Sequence, residues 1–115
     1  MTDTDIRFAT DNSPHKPVLL REVLEALSPK AGEIMVDGTF GAGGYSRAIL
    51  DHAPCELYAI DRDPTAVATG KAMEADYDNR FHMVEGCFGN MGSLIPAAGV
   101  QQVDGIVLDI GVSSM

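Results

Sequence analysis

The sequence predicts an α/β fold built on a doubly wound parallel sheet, and three observations lead to this prediction. Strand-like runs alternate with helical segments between residues 34 and 110. These runs are mostly apolar, as expected for parallel strands that are buried on both faces. A glycine-rich turn, "DGTFGAGG", follows the first run and leads directly into a helix. Such alternation favours right-handed crossovers, with helices on both faces of the sheet.

The elements follow one another in a regular order. The first helix is predicted from apolar residues at helical spacing, and Ser28-Pro29 with Gly32 ends it. Four strands are predicted at residues 34–36, 56–61, 80–86 and 103–110. Between them we predict helices at residues 44–52, 63–77 and 90–97. Pro64 suits the first position of its helix, with Asp63 as the N-cap.

The two ends of the chain carry separate predictions. Residues 1–14 are predicted to be a flexible leader, which ends in the breaker pair Ser13-Pro14. Four strands alone would leave one sheet edge open and one helical layer thin. We therefore expect a fragment of a longer protein, and a termination codon directly after Met115 in the natural gene would contradict this.

Composition limits the possible functions. The chain has 115 residues and a net charge of −9, from 17 acidic and 8 basic residues. Such a charge argues against a nucleic-acid-binding surface on this segment alone. Cys55 and Cys87 form no CxxC pair, so reduced thiols are favoured over a disulfide or a metal site. No signal peptide or membrane-length apolar run is found, and we expect a soluble, cytoplasmic protein without bound metal.

The glycine turn raises the question of which ligand it holds. A triphosphate loop needs GxxxxGK[ST], but Gly44 and Tyr45 stand where lysine and Ser/Thr are required. A dinucleotide fingerprint, GxGxxG, that begins at Gly41 fails only at its last position, where Ser46 replaces the glycine. The run "VDGTFGAGG" has an acid at the strand end and closes with a glycine pair, a pattern that resembles the cofactor turn of class I S-adenosylmethionine-dependent methyltransferases.

Asp61 ends the second predicted strand, 18 positions after Gly43. A carboxylate at this position can accept hydrogen bonds from both hydroxyls of a ribose. Both NAD and S-adenosylmethionine carry that ribose, so Asp61 indicates an adenosine without choosing between them. The alternative is that Asp61 caps the following helix, although Asp63 suits that role better.

Five stretches together resemble a known family: "HKPVLLREVLEAL", "VDGTFGAGGYSRAIL", "AIDRDPTAVA", "RFHMVEGCF" and "VDGIVLDIGVSSM". They are similar, in the same order, to the amino-terminal part of bacterial methyltransferases of the MraW/RsmH type. These enzymes modify the N4 amine of a cytidine in 16S ribosomal RNA. The resemblance implies a class I S-adenosylmethionine-dependent methyltransferase (Rossmann-like) fold, incomplete here, with residues 15–115 forming the amino-terminal part of the cofactor-binding domain.

The resemblance also implies the cofactor-binding residues by position. Gly43, Gly44 and Tyr45 match the family's cofactor-binding turn, and Asp61 matches its ribose-binding acid. Phe88 matches a residue at the adenine, and Asp109 matches an acid at the end of the fourth strand that also lines the cofactor site. From the residues alone, Phe88 is equally suited to the core, and Tyr45 to a surface position. Asp37 suits either the methionine amine or a cap of the turn.

The chain also departs from what the family and its relatives share. Members of the family are longer, with an inserted helical domain and more of the sheet, so the activity of this piece alone is in doubt. Its "DIGVSS" lacks the Pro-Pro-aromatic signature that many amino-group methyltransferases have after the fourth strand. Asp109 is the one carboxylate we nominate near the cytosine amine, as a hydrogen-bond acceptor. RNA, as 16S ribosomal RNA or the small subunit, is expected to bind through parts absent from this chain.

Other function classes stay open at this point. The chain, or a protein that contains it, could methylate a small molecule or a protein, or act as an NAD-dependent oxidoreductase with a divergent turn. A non-enzymatic interaction domain is least favoured, because an exposed glycine turn with an aligned acid is unusual in a surface made only for packing.

Overall fold

A computed structural model describes residues 6–11 and 20–109, and it contains one sheet of five parallel strands. The strands are β1 (Arg7–Asp11), β2 (Ile34–Asp37), β3 (Glu56–Asp61), β4 (Phe81–Glu85) and β5 (Gly105–Asp109). Their order across the sheet is β1-β5-β2-β3-β4. Every pairing is parallel, including that of Val36 with Tyr58 and with Ile106. The predicted doubly wound parallel sheet is confirmed.

Within the described residues four α-helices lie between the strands: α1 (Leu20–Leu27), α2 (Gly44–His52), α3 (Pro64–Met73) and α4 (Met91–Ala97). The predicted helix at residues 44–52 is confirmed at both ends. The helix that begins at Pro64 ends at Met73, earlier than predicted, and continues as a 3₁₀ turn over Glu74–Asp76. Asp63 caps α3 as predicted, because its Oδ1 accepts the N–H of Thr65 at 3.0 Å.

Strand β1 differs from our expectation of a flexible leader at residues 7–11, whereas residues 1–5 and 12–14 of that predicted leader lie outside the described residues. It pairs in parallel with β5 and covers the edge that four strands would have left open. Arg7 supports this pairing, because its Nε donates to the carbonyl of Leu27 at 2.7 Å and its guanidinium pairs with Glu33. Its partner strand lies at the far end of the sequence, and no local pattern of apolar residues reports such a pairing.

The two faces of the sheet are covered unequally. Helices α1, α2 and α3 pack on one face, where the fully buried residues include Leu27, Ile49 and Met73. Only α4 contributes a buried helical residue, Ile95, to the described cluster on the other face. Residues of β3 alternate between the faces, as the pleat requires, with Leu57 on the first and Ile60 on the second.

Candidate functional site

A cavity of about 450 Å³ lies at the carboxyl ends of β2, β3 and β4. Its lining comes from the glycine turn, from the end of β3 and from the loop after β4. The lining residues are Gly38, Thr39, Gly41, Ile60, Asp61, Arg62, Gly86, Cys87, Phe88 and Gly89. Ligands of open parallel sheets bind at this end of the strands, and the volume falls within the range usual for small-molecule sites.

Asp61 holds two sides of this cavity together. Its Oδ2 accepts the N–H of Gly41 at 2.8 Å, and its Oδ1 accepts the N–H of Asp63 at 2.9 Å. A carboxylate has about four acceptor positions, so each oxygen keeps one position for a further donor. Asp61 can therefore accept a pair of neighbouring hydroxyls without releasing either loop.

Phe88 lies at the mouth of the cavity, in a 3₁₀ turn over Phe88–Asn90. It is 44% exposed, which excludes the alternative that it belongs to the core. Gly38 lies beneath it, and a Cβ at Gly38 would come within 3.3 Å of the Phe88 Cβ and 2.5 Å of a Leu108 methyl. The close approach of these two segments therefore depends on glycine at position 38.

Phe40 anchors the glycine turn from below. Its side chain is 3% exposed, and its ring centroid lies 5.7 Å from that of Phe81 in the core. Gly43 adopts φ +92°, and a Cβ at Gly43 would lie 3.0 Å from the Phe40 ring. The aromatic anchor and the left-handed backbone together require glycine where α2 begins.

Asp37 ends β2 and is only 1% exposed. Its Oδ1 accepts the N–H of Thr39 at 3.1 Å, and its Oδ2 accepts the hydroxyl of Ser46 at 2.7 Å. Ser46 is itself fully buried in the first turn of α2. Of the two alternatives left open for Asp37, these contacts support the one in which it caps the turn.

The structure brings only some of the predicted site residues together. Asp61 and Phe88 line the cavity, whereas Gly43, Gly44 and Tyr45 lie at the far end of the turn and do not line it. Tyr45 packs partly buried against the core cluster beneath α2. The backbone of Asp109 ends β5 beside Asp11, but the Asp109 side chain and residues 110–115 lie outside what the structure describes.

Several cavity residues were not predicted as site residues from the sequence, among them Arg62 and Gly86. Arg62 reaches across the mouth, where its Nη1 lies 3.6 Å from the sulfur of Cys87. Gly86 directly follows β4 at φ +155° and contacts Leu94 through the space that a Cβ would occupy. A glycine immediately after a strand was the available signal, since it marks a close backbone approach. Arg62 gave no such signal.

A second cavity, of about 470 Å³, lies between α4 and the β5 side of the sheet. Its lining includes Ile6, Met91 and Ile95. Among the described residues that line it none is charged, so it offers no carboxylate to a ribose. The cavity beside Asp61 is therefore the better candidate for a nucleoside.

Neither a membrane span nor a metal cluster is found in the described part of the chain, residues 6–11 and 20–109. No helix there has the length and apolarity that crossing a bilayer requires. No group of three His, Cys, Asp or Glu side chains there is placed to hold a metal ion. Cys55 is buried and Cys87 partly exposed, and both are free in the structure.

Comparison with known proteins decides the family. The model of the MraW methylase family matches residues 12–115. The chain belongs to the MraW methylase family. One relative, the ribosomal RNA small subunit methyltransferase H of Paramagnetospirillum magneticum, is 63% identical over 102 residues, which cover 89% of this chain and 32% of that protein. The chain thus spans about a third of the length of this curated relative.

Solved structures support the predicted fold of this chain. The precorrin 8w decarboxylase of Methanobacterium thermoautotrophicum has a TM-score of 0.62 at 19% identity, over 84% of this chain and 50% of its own. A geranyl diphosphate methyltransferase in complex with SAM has a TM-score of 0.53 at 19% identity, over 61% of this chain and 29% of its own. At such identities the likeness concerns the fold alone, and it confirms the Rossmann-like class I methyltransferase fold.

Proposed function

We propose that this chain is the cofactor-binding part of an S-adenosylmethionine-dependent methyltransferase that modifies the N4 amine of a cytidine in 16S ribosomal RNA. The observation that carries the proposal is Asp61, at the end of β3, beside a cavity bounded by a glycine turn. Because the chain belongs to a methylase family, the adenosine-containing ligand that best suits this cavity is a methyl donor. We place the enzyme in the cytoplasm, where ribosomal RNA is.

The residues of the cavity fit the adenosine part of this cofactor. Asp61 keeps two acceptor positions for the ribose hydroxyls, which are donors in the right number. Phe88 presents an exposed aromatic ring at the rim, and such a ring suits the face of an adenine. Gly38 leaves room in the cavity for the ribose and the adenine, since any larger residue at this position would displace Phe88 or Leu108.

The amino-acid part is assigned to the start of α2. Gly43, the N-cap, provides no side-chain hydrogen bond to the first turn. The positive end of the helix dipole and the N–H groups of a first turn attract a carboxylate. We therefore assign the methionine carboxylate to the segment of Gly43, Gly44 and Tyr45.

The protein's task in this reaction is mainly one of alignment. When bound, S-adenosylmethionine supplies a methyl group that its sulfonium sulfur already activates. The residues of the chain must hold the donor in line with the cytosine N4 and exclude water. Asp109 is proposed as a cofactor-site acid and as an acceptor for the amine as charge develops. If Asp109→Asn weakened cofactor binding but left single-turnover transfer intact, Asp109 would be a binding residue only.

The RNA is proposed to bind through other parts of the protein. The chain carries a net charge of −9, and a phosphate backbone is repelled by such a surface. The relative from Paramagnetospirillum magneticum is about three times as long as the matched segment, which leaves room for a basic surface. The target base must be presented unpaired or flipped out of its stack.

Calorimetric titration of the chain with S-adenosylhomocysteine and with NADH tests the cofactor assignment. We expect heat of binding with S-adenosylhomocysteine and none with NADH, because the turn lacks the final glycine of a dinucleotide fingerprint. Binding of NADH without a response to S-adenosylhomocysteine would overturn the proposal in favour of an oxidoreductase.

The substrate is tested with a full-length MraW methylase in which this chain replaces the corresponding amino-terminal part. The protein is incubated with labelled S-adenosylmethionine and isolated small ribosomal subunits, and the RNA is then digested to nucleosides. We expect the label in N4-methylcytidine. Label in another nucleoside, or in protein alone, would contradict the substrate assignment.

A further inference from the structure

The buried pair Asp37 and Ser46 suggests a role that the cofactor assignment does not use. The two side chains are 1% and 0% exposed, and the Ser46 hydroxyl donates to Asp37 at 2.7 Å. Position 46 is where a dinucleotide fingerprint has its third glycine, which serves close helix–strand packing. Here a hydrogen bond joins the helix to the strand at that position.

Asp37 connects the beginning of the glycine turn to its end. One carboxylate oxygen accepts the N–H of Thr39, which lines the cavity, and the other accepts the hydroxyl of Ser46 in the first turn of α2. Residues 38–45 of the turn are thus held between two bonds to a single carboxylate. A separate contact, the N–H of Gly41 to Asp61 at 2.8 Å, fixes the middle of the turn on the ribose side.

These contacts divide the turn into two parts with different supports. The part that faces the ribose is held by Asp61 and by the N–H of Phe40, which donates to the carbonyl of Ile60 at 3.0 Å. The part that begins α2 is tied to the strand by Ser46. A change at Ser46 should therefore move the start of the helix while the Gly41–Asp61 contact remains.

We propose that Ser46 is a positioning residue for the amino-acid end of the cofactor. This inference rests on the proposed function. Through Asp37, the Ser46 hydroxyl sets the direction of the first turn of α2, and with it the N–H groups assigned to the methionine carboxylate. Ser46 does not contact the ligand itself. Its effect is therefore specific for ligands that carry the amino-acid end.

The test compares two ligands that differ only in that end. S-adenosylhomocysteine carries the amino acid, whereas 5′-methylthioadenosine keeps the adenosine and the sulfur without it. For Ser46→Ala we expect the Kd of S-adenosylhomocysteine to rise about tenfold, the usual size for one buried hydrogen bond. The Kd of 5′-methylthioadenosine should change less than about twofold, since Asp61 and Phe88 are untouched.

Two further variants accompany this measurement. Thr69→Ala removes an exposed helical hydroxyl that donates to the Thr65 carbonyl at 3.1 Å, and it should change neither affinity. Ser46→Cys keeps the size of the side chain but leaves only a weak donor, so the ratio of the two Kd values should rise about threefold. If Ser46→Ala fails to fold, Ser46→Cys provides the test.

The outcomes are distinguishable. An unchanged ratio of the two Kd values in every folded Ser46 variant would overturn the positioning role, as would equal losses for both ligands, which a general structural defect would cause. Failure of the wild-type chain to bind S-adenosylhomocysteine would instead overturn the proposed function. A rise confined to S-adenosylhomocysteine supports the inference.

Discussion

Asp37 and Asp61 both end a strand of the sheet but have different surroundings. Each is the last residue of its strand, on the neighbouring strands β2 and β3. Asp37 is buried, and its two oxygens bond to Thr39 and Ser46 inside the turn. Asp61 is partly exposed at the cavity, where its oxygens bond to the main chain of two loops. The first organises the turn, and the second both organises it and faces a ligand.

The comparison shows that two aspartates that each end a strand have different roles because one side chain is buried and the other is partly exposed. The next residue after Asp37 is Gly38, over which Phe88 and Leu108 close. The chain after Asp61 turns outward to Asp63, which caps α3. Removal of the first acid should therefore reduce stability, and removal of the second should reduce binding.

The largest effect is expected for Asp37→Ala. The substitution leaves the Ser46 hydroxyl and the Thr39 N–H without the acceptor that the structure provides, so the free energy of unfolding should fall by about 3 kcal/mol. Urea unfolding followed by circular dichroism measures the loss. Asp63→Ala removes a helix cap at an exposed position and should cost only about 1 kcal/mol. Equal losses for the two variants would contradict the assigned role of Asp37.

Asp61→Ala should mainly affect binding. Loss of two hydrogen bonds from the ribose to a charged acceptor should raise the Kd of S-adenosylhomocysteine at least about 30-fold, or by about 2 kcal/mol. The Kd of 5′-methylthioadenosine should rise by the same factor, because both ligands carry the ribose. Calorimetry measures both. A change of less than about threefold would place the ribose elsewhere.

Gly43→Ala tests the turn that lies between the two acids. The φ of +92°, together with the Phe40 ring 3.0 Å from the position that a Cβ would take, predicts a loss of about 2 kcal/mol of stability. The matched control is Gly44→Ala, which meets no atom within 4 Å and should change stability by less than about 0.5 kcal/mol. Thermal unfolding of both variants measures the difference. Equal stability of the two variants would exclude the left-handed turn.

The two cysteines provide the smallest effect, a difference in alkylation rate. Cys55 is buried, and burial raises the pKa of its thiol, which disfavours the reactive thiolate. Cys87 is partly exposed in the cavity and should react first with iodoacetamide. S-adenosylhomocysteine should slow that reaction several-fold. Mass spectrometry of tryptic peptides follows both thiols, and faster labelling of Cys55 would contradict the arrangement.

Much of the fold could be predicted from local patterns. The helix after the glycine turn and the N-cap at Asp63 were predicted correctly because short-range spacing and capping chemistry determine both. Strand β1 was missed because its pairing with β5 joins residues that are distant in the sequence. The end of α3 at Met73 was also missed, since the 3₁₀ turn that follows has the same local pattern as a helix.

The candidate site could be predicted only in part. Asp61 stood out because it ends a strand at a fixed distance from the turn, and Phe88 because of the family resemblance. The burial of Asp37 depends on how α2 packs over the end of β2, where the Ser46 hydroxyl bonds to it, and no spacing along the chain reports this packing. The place of Arg62 beside Cys87 likewise depends on two loops that meet only in the folded sheet.

The most direct test of the central claim is to locate the bound adenosine by NMR. Amide chemical shifts of the ¹⁵N-labelled chain are recorded as S-adenosylhomocysteine is added. We predict that the largest changes lie at Gly38, Gly41 and residues 86–89, around the carboxylate of Asp61. Changes centred on α4 and the second cavity, or none at saturating ligand, would contradict the account.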